Sequence, residues 1–68
     1  MTIARVALDV PLATLFDYTV PQDMLVVPGQ RVAVPFGTRE LVGVVMELME
    51  DSAMDVQRIK PLSRALQD

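Results

Sequence analysis

The chain contains no cysteine, no histidine and no tryptophan among its 68 residues. Without cysteine there are no disulfides and no thiolate zinc sites, and without histidine the imidazole zinc sites go as well. The missing histidine also removes the usual general base of a nucleophilic triad. A chain this short buries only about 60% of its unfolded surface, and small folds commonly add a staple to compensate. Packing alone, neighbouring domains or a second copy must serve here. The cysteine-free composition is compatible with a reducing cytoplasm.

Long apolar runs are lacking too. Half of the residues are hydrophobic (51%), too many for a disordered chain. Pro, Gly and charge nevertheless interrupt every run well short of the ~20 residues that span a bilayer. The opening stretch MTIARVALD has neither an apolar h-region nor a small-residue cleavage site. These features lead us to expect a soluble, cytoplasmic domain.

Catalytic and nucleotide motifs are equally sparse. There is no G-x-x-x-x-G-K-[ST] and no G-x-G-x-x-G, and Asp51 and Asp55 do not form an EF-hand ligand series. Ser52 or Ser63 with Lys60 makes a formal Ser–Lys pair, but nothing places either beside an oxyanion hole. The expectation is a chain with no catalytic residue, no metal site and no cofactor.

The net charge of −3 argues against a nucleic-acid partner. Its distribution weakens that argument. Glu47, Glu50, Asp51 and Asp55 concentrate four acids in one segment, and the remainder carries a net +1. Arg31, Arg39, Arg58, Lys60 and Arg64 all lie beyond residue 30. A solvated acidic loop on an ordinary domain and a local basic surface are both compatible with this pattern.

What is present reads as short strands. Residues 2–8 (TIARVAL) place Ala4, Val6 and Leu8 on one face and Arg5 on the other, until Asp9-Val10-Pro11 breaks the ladder. Residues 16–20 (FDYTV) alternate in the same way, and Pro21-Gln22-Asp23 reads as a turn with proline at its second position. Pro28-Gly29 has the composition of a type II turn. Residues 30–36 (QRVAVPF) alternate again, with Pro35 marking an edge or a bulge, and residues 37–40 reverse the chain. Residues 41–48 (LVGVVMEL) form the most continuous apolar run and the best central strand. Gly43 within them marks a bulge, a tight bend or a close backbone approach. Residues 50–55 read as an acidic loop, residues 56–59 as a short return strand, and residues 62–68 as the start of a helix. The fold class expected is all-β: a small barrel or sandwich of five or six short, mostly antiparallel strands in one domain spanning residues 1–68.

Two places depart from ordinary strand composition. In Phe16-Asp17-Tyr18 a carboxylate sits between two rings, although Asp is a poor strand residue. It reads either as a solvated edge residue or as an acceptor for a ligand. In Val34-Pro35-Phe36-Gly37 a rigid turn leaves bare backbone beside an aromatic ring. That suits a plain hairpin, or a flat ligand such as a nucleic-acid base.

Taken in order, these places form a spaced series: V-A-L-x-V-P-L at 6–12, F-D-Y at 16–18, Pro21, G-x-R-V-x-V-P-F-G at 29–37, G-V-V at 43–45 and K-P-L at 60–62. The series resembles the N-terminal domain of the PriA replication-restart helicase family (primosomal protein N′). The resemblance implies a non-catalytic module that binds the 3′ end of a DNA strand at stalled or branched replication forks. The family's pocket residues fall on Phe16, Asp17, Gly37 and Lys60, with Arg39 and Arg58 as possible accessory phosphate contacts. It further implies a fragment of a larger 3′-to-5′ helicase whose ATP, magnesium and structural zinc belong to other domains. The implied partners are DNA with a free 3′ end, the remaining helicase domains, and other primosome or single-strand-binding proteins, in the bacterial cytoplasm at the nucleoid and away from any membrane. The residues themselves leave open a different class, a protein-interaction or oligomerisation module that pairs through an exposed β edge.

Overall fold

The computed structural model describes residues 1–50 and 56–67. The described residues form five strands: β1 (Ile3–Leu8), β2 (Phe16–Thr19), β3 (Arg31–Phe36), β4 (Arg39–Met49) and β5 (Arg64–Ala65). All pairs are antiparallel in one sheet of order β2-β1-β4-β3-β5. The expected all-β class is what the chain adopts. Among the described residues no helix is long and apolar enough to cross a membrane.

Two expectations at the C-terminal end are corrected. Residues 56–58 form a 3₁₀ turn (Val56–Arg58), not a return strand. The helix expected at 62–68 does not begin within the described residues 62–67; Arg64–Ala65 pair with Val32 and Ala33 as β5. The reason is tertiary. β3 carries an unpaired edge, and a segment too short for two helical turns gains more by satisfying that edge than by nucleating a helix. The acidic loop expected at 50–55 lies outside the described residues apart from Glu50, whose Oε1 accepts a 3.4 Å hydrogen bond from Thr2 Oγ1.

The turns follow their residues. Gln30 N donates to the Val27 carbonyl at 3.1 Å across Pro28-Gly29, and Gly29 has φ +92°, the type II geometry. Gly37 (φ +61°) and Thr38 join β3 to β4 in a two-residue loop with glycine first, as a type II′ turn requires. Pro21 takes the first position of its turn, not the second: its carbonyl accepts the Met24 N–H at 3.0 Å.

β4 is the central strand and the longest, at 11 residues. Its register against β1 shifts between Arg5↔Glu47 and Val6↔Val45, so Met46 is the extra residue of a bulge. The bulge therefore lies three residues beyond Gly43. Gly43 is a close approach: a Cβ there would meet Leu8 Cδ2 at 2.5 Å, Val6 Cγ1 at 2.6 Å and the Ala7 carbonyl oxygen at 2.7 Å.

The sheet curls until its two edges meet. Thr19 N donates to the Lys60 carbonyl (3.0 Å), and Leu62 N donates to the Thr19 carbonyl (2.9 Å). A little further along, Ser63 N donates to Ala33 and Leu66 N to Arg31, at 2.8 and 2.9 Å. Residues 60–66 thus join β2 to β3 and close a small barrel, which decides between barrel and sandwich. Inside lie Ala4, Val6, Tyr18, Val32, Val34, Val45 and Leu62. The fully buried Val and Ile side chains among the core residues stabilise the fold by about 1.5–3 kcal/mol each.

Candidate nucleic-acid interface

The closing seam positions the site. β2 and the segment entering residue 60 run parallel and are hydrogen-bonded at Thr19. Ahead of that point, residues 15–18 on one side and 58–60 on the other line a cavity of about 580 Å³, whose far wall is Pro35, Phe36 and Gly37. Ile59 and Leu62 turn inward and are buried, which holds the exposed Lys60 between them at the cavity's edge.

Phe16, Asp17, Gly37 and Lys60 all line this one cavity, and so does Arg58. Arg39 does not; it opens β4 opposite Phe36, outside the cavity lining. Phe16 packs on the core and meets Phe36 edge to face, with ring centroids 5.3 Å apart at 90°. The pair makes a fixed aromatic wall. Gly37 is needed first for its φ of +61°, and a Cβ there would project into open space. Asp17 is directly opposite Arg5 in the β1–β2 register, and Arg5 Nε lies 3.4 Å from Asp17 Oδ1. The Asp17 side chain is only 12% exposed, so this carboxylate is a half-sheltered acceptor, not a freely solvated edge residue.

Sequence reasoning placed Arg5 outward without a role, and named Phe36 as the ring beside a turn suited to a plain hairpin or to a flat ligand without counting it among the pocket residues. Both line the cavity. Opposite charges on the outward faces of adjacent strands were the available indication for Arg5, but the pairing emerges only with the register. Among the described lining residues, Arg5, Arg58 and Lys60 face a single acid, Asp17. The cavity is therefore locally positive in a chain of net charge −3, which answers the objection that total charge raises against DNA.

Tyr18 braces the cavity from inside. It is buried, and its hydroxyl donates to the Pro35 carbonyl at 2.9 Å, tying β2 to the end of β3. Burial raises its pKa above the ordinary value of 10.0 because the phenolate is poorly solvated there. A raised acid pKa means that the folded chain holds the proton longer than the unfolded one. Stability from this group is therefore complete below about pH 10 and is lost as pH rises beyond it. We expect Tyr18→Phe to cost about 1 kcal/mol at neutral pH and to remove this part of the alkaline loss. Urea unfolding of both proteins from neutral to alkaline pH checks both: equal stability at neutral pH would refute the tether, and parallel pH profiles would refute the raised pKa.

With this geometry in view, a sequence model of the 3′DNA-binding domain (3′BD) of PriA matches residues 5–68. The chain belongs to this family. Replication restart protein PriA of Haemophilus influenzae is 44% identical over 66 residues, covering 97% of this chain and 9% of that protein. The Rickettsia conorii protein of the same name is 41% identical over 64 residues (91% of this chain, 9% of its own length). A third, from Buchnera aphidicola, is 31% identical over 60 residues and is covered to 8% of its length. The chain thus spans about a tenth of the curated relatives it matches. As a 3′DNA-binding domain it is a non-catalytic DNA-binding module, and the protein-interaction alternative is not favoured.

Proposed function

We propose that the 3′-OH terminus of a DNA strand is held in the cavity between β2, the β3–β4 turn and residues 58–60. One observation carries this reading: Phe16, Asp17, Gly37 and Lys60, drawn from separate stretches of the chain, line a single cavity of about 580 Å³. That volume falls in the range of about 300–1,000 Å³ common for small-ligand sites. Phe16, backed by Phe36, walls the terminal base, and such contacts are worth about 1–3 kcal/mol per base. Asp17 accepts a hydrogen bond from the terminal hydroxyl and repels a terminal phosphate. Gly37 leaves room beside the sugar, and Lys60 with Arg58 neutralises the last phosphates, which makes binding salt-dependent. Arg39 contributes less, since it stands outside the cavity.

In the longer chain to which such a domain belongs, we read it as the targeting module of a replication-restart 3′-to-5′ helicase at stalled or branched forks. Weak binding by the module alone then gains avidity from the rest of the protein. The remaining helicase domains, other primosome proteins and single-strand-binding proteins are the partners this role calls for, in the cytoplasm at the nucleoid.

The first experiment is an NMR titration with two short single-stranded oligonucleotides, one ending in 3′-OH and one in 3′-phosphate. Shifts centred on Phe16, Asp17, Gly37 and Lys60 with the hydroxyl end alone are the expected result. Equal shifts with both would remove end recognition, and no shift with either at low salt would remove DNA from the reading.

A further inference from the structure

We propose that Arg5 is a positioning residue for 3′-end recognition, acting on the terminal hydroxyl through Asp17. The inference rests on the assignment of Asp17 to that hydroxyl. The terminal torsion of an aspartate is broad and roughly two-fold, so rotamer preference alone does not fix the plane of its carboxylate. In this pocket the plane must be fixed, because a hydrogen bond from a sugar hydroxyl weakens steeply off axis. Arg5 supplies the constraint. It stands directly across the strand pair from Asp17, with Nε 3.4 Å from Oδ1, and its guanidinium is a rigid planar donor.

Arg5 also decides the electrostatics. A carboxylate that is 12% exposed is costly to shelter, and its charge disfavours an incoming strand unless a cation stands beside it. Paired with Arg5 its charge is offset for the strand approaching from a distance, while a terminal phosphate in direct contact is still opposed, and Arg58 and Lys60 remain to attract the phosphates behind it. On its other side Arg5 is in register with Glu47 of β4. Glu47 is exposed and does not line the cavity, so the pair with Asp17 turns the guanidinium toward the pocket.

The test compares affinities of this chain for oligonucleotides ending in 3′-OH and in a 3′-deoxy sugar, which differ by one neutral hydroxyl. The chain itself, Arg5→Gln, Asp17→Ala and the double variant are measured, with amide NMR spectra as the control for folding. Arg5→Gln is expected to lower the hydroxyl-to-deoxy affinity ratio at least about fivefold, part of the range of a hydrogen bond to a charged group, and to lower it no further once Asp17 is alanine. Arg5→Lys keeps the charge but not the planar fork and is expected to lower the ratio as well; it serves if the glutamine variant does not fold. A ratio unchanged in both Arg5 variants while Asp17→Ala abolishes it overturns the positioning role. Equal weakening of both ends by Arg5→Gln, persisting without Asp17 and with a shallower salt dependence, makes Arg5 a plain phosphate contact instead. If Asp17→Ala leaves the ratio unchanged, the assignment of Asp17 fails first.

Discussion

Gly43→Ala is expected to leave most of the chain unfolded at temperatures where the parent is fully folded. The added methyl would lie 2.5–2.7 Å from Leu8 Cδ2, Val6 Cγ1 and the Ala7 carbonyl oxygen. Leu8 is partly buried and its side-chain end can turn aside, but Val6 is fully buried and the third atom is backbone, so neither of these can give way cheaply. Gly43 is paired on both sides, to Leu8 in β1 and Val32 in β3, so neither neighbouring strand can retreat without breaking its ladder. Overpacking of this kind costs about 1–3 kcal/mol and sometimes more, against the 3–5 kcal/mol that a single small core supplies. A fall in Tm of at least about 12 °C follows from 3 kcal/mol at this size, and circular dichroism melts read it. Gly29→Ala is the control. Its Cβ would meet nothing within 4 Å, but φ is +92°, so it should cost only the 1–2 kcal/mol of a left-handed residue. If Gly43→Ala melted no lower than Gly29→Ala, steric exclusion at the strand crossing would not be the reason for glycine there.

The second large effect is on the ligand. Asp17→Ala is expected to weaken binding of a 3′-OH oligonucleotide about 10- to 100-fold, as befits loss of a hydrogen bond to a charged group at about 1.5–3 kcal/mol. The same variant should bind a 3′-phosphate oligonucleotide more tightly than the parent does, because a like charge has been removed from a site that keeps Arg5, Arg58 and Lys60. The two affinities thus move in opposite directions. A damaged fold lowers both, so anisotropy titrations with the two oligonucleotides separate recognition from stability. If both affinities fell together, Asp17 would be structural and the hydroxyl would be read elsewhere.

Much of the scaffold was legible because it is locally written. The alternating apolar positions of β1, β2 and β3, Pro28-Gly29 and the continuous run around Val44 each specify their own conformation. So did the oddity of Asp17 between two rings, which belongs to the cavity. The errors fall where the decision is made by a distant partner. Residues 56–58 and 62–68 contain too little pattern to choose a structure, and the open edge of β3 chose for the latter. Arg5 was visible as an outward charge, but its meaning depends on a register that sets it against Asp17 rather than one residue to either side. Arg39 shows the converse. It sits two residues from Gly37 in sequence and directly across from Phe36 in the register, yet it does not join the cavity lining, so closeness along the chain and across the turn did not decide membership of the site.

The seam at Thr19 gives the domain a particular order of becoming competent. Residues 1–49 contain the four longest strands and both glycine turns, so a chain emerging during synthesis already holds most of what it needs to pair. The cavity does not yet exist at that stage. Its second wall is Arg58, Ile59 and Lys60, which arrive last and are fastened by the Lys60 and Leu62 hydrogen bonds to a strand made more than forty residues earlier. A nascent chain stopped before this segment is half a vessel, with an aromatic wall and a carboxylate but no rim to hold a strand end. On the proposed assignment of the cavity, the capacity to hold a strand end therefore arises in the same step that seals the barrel.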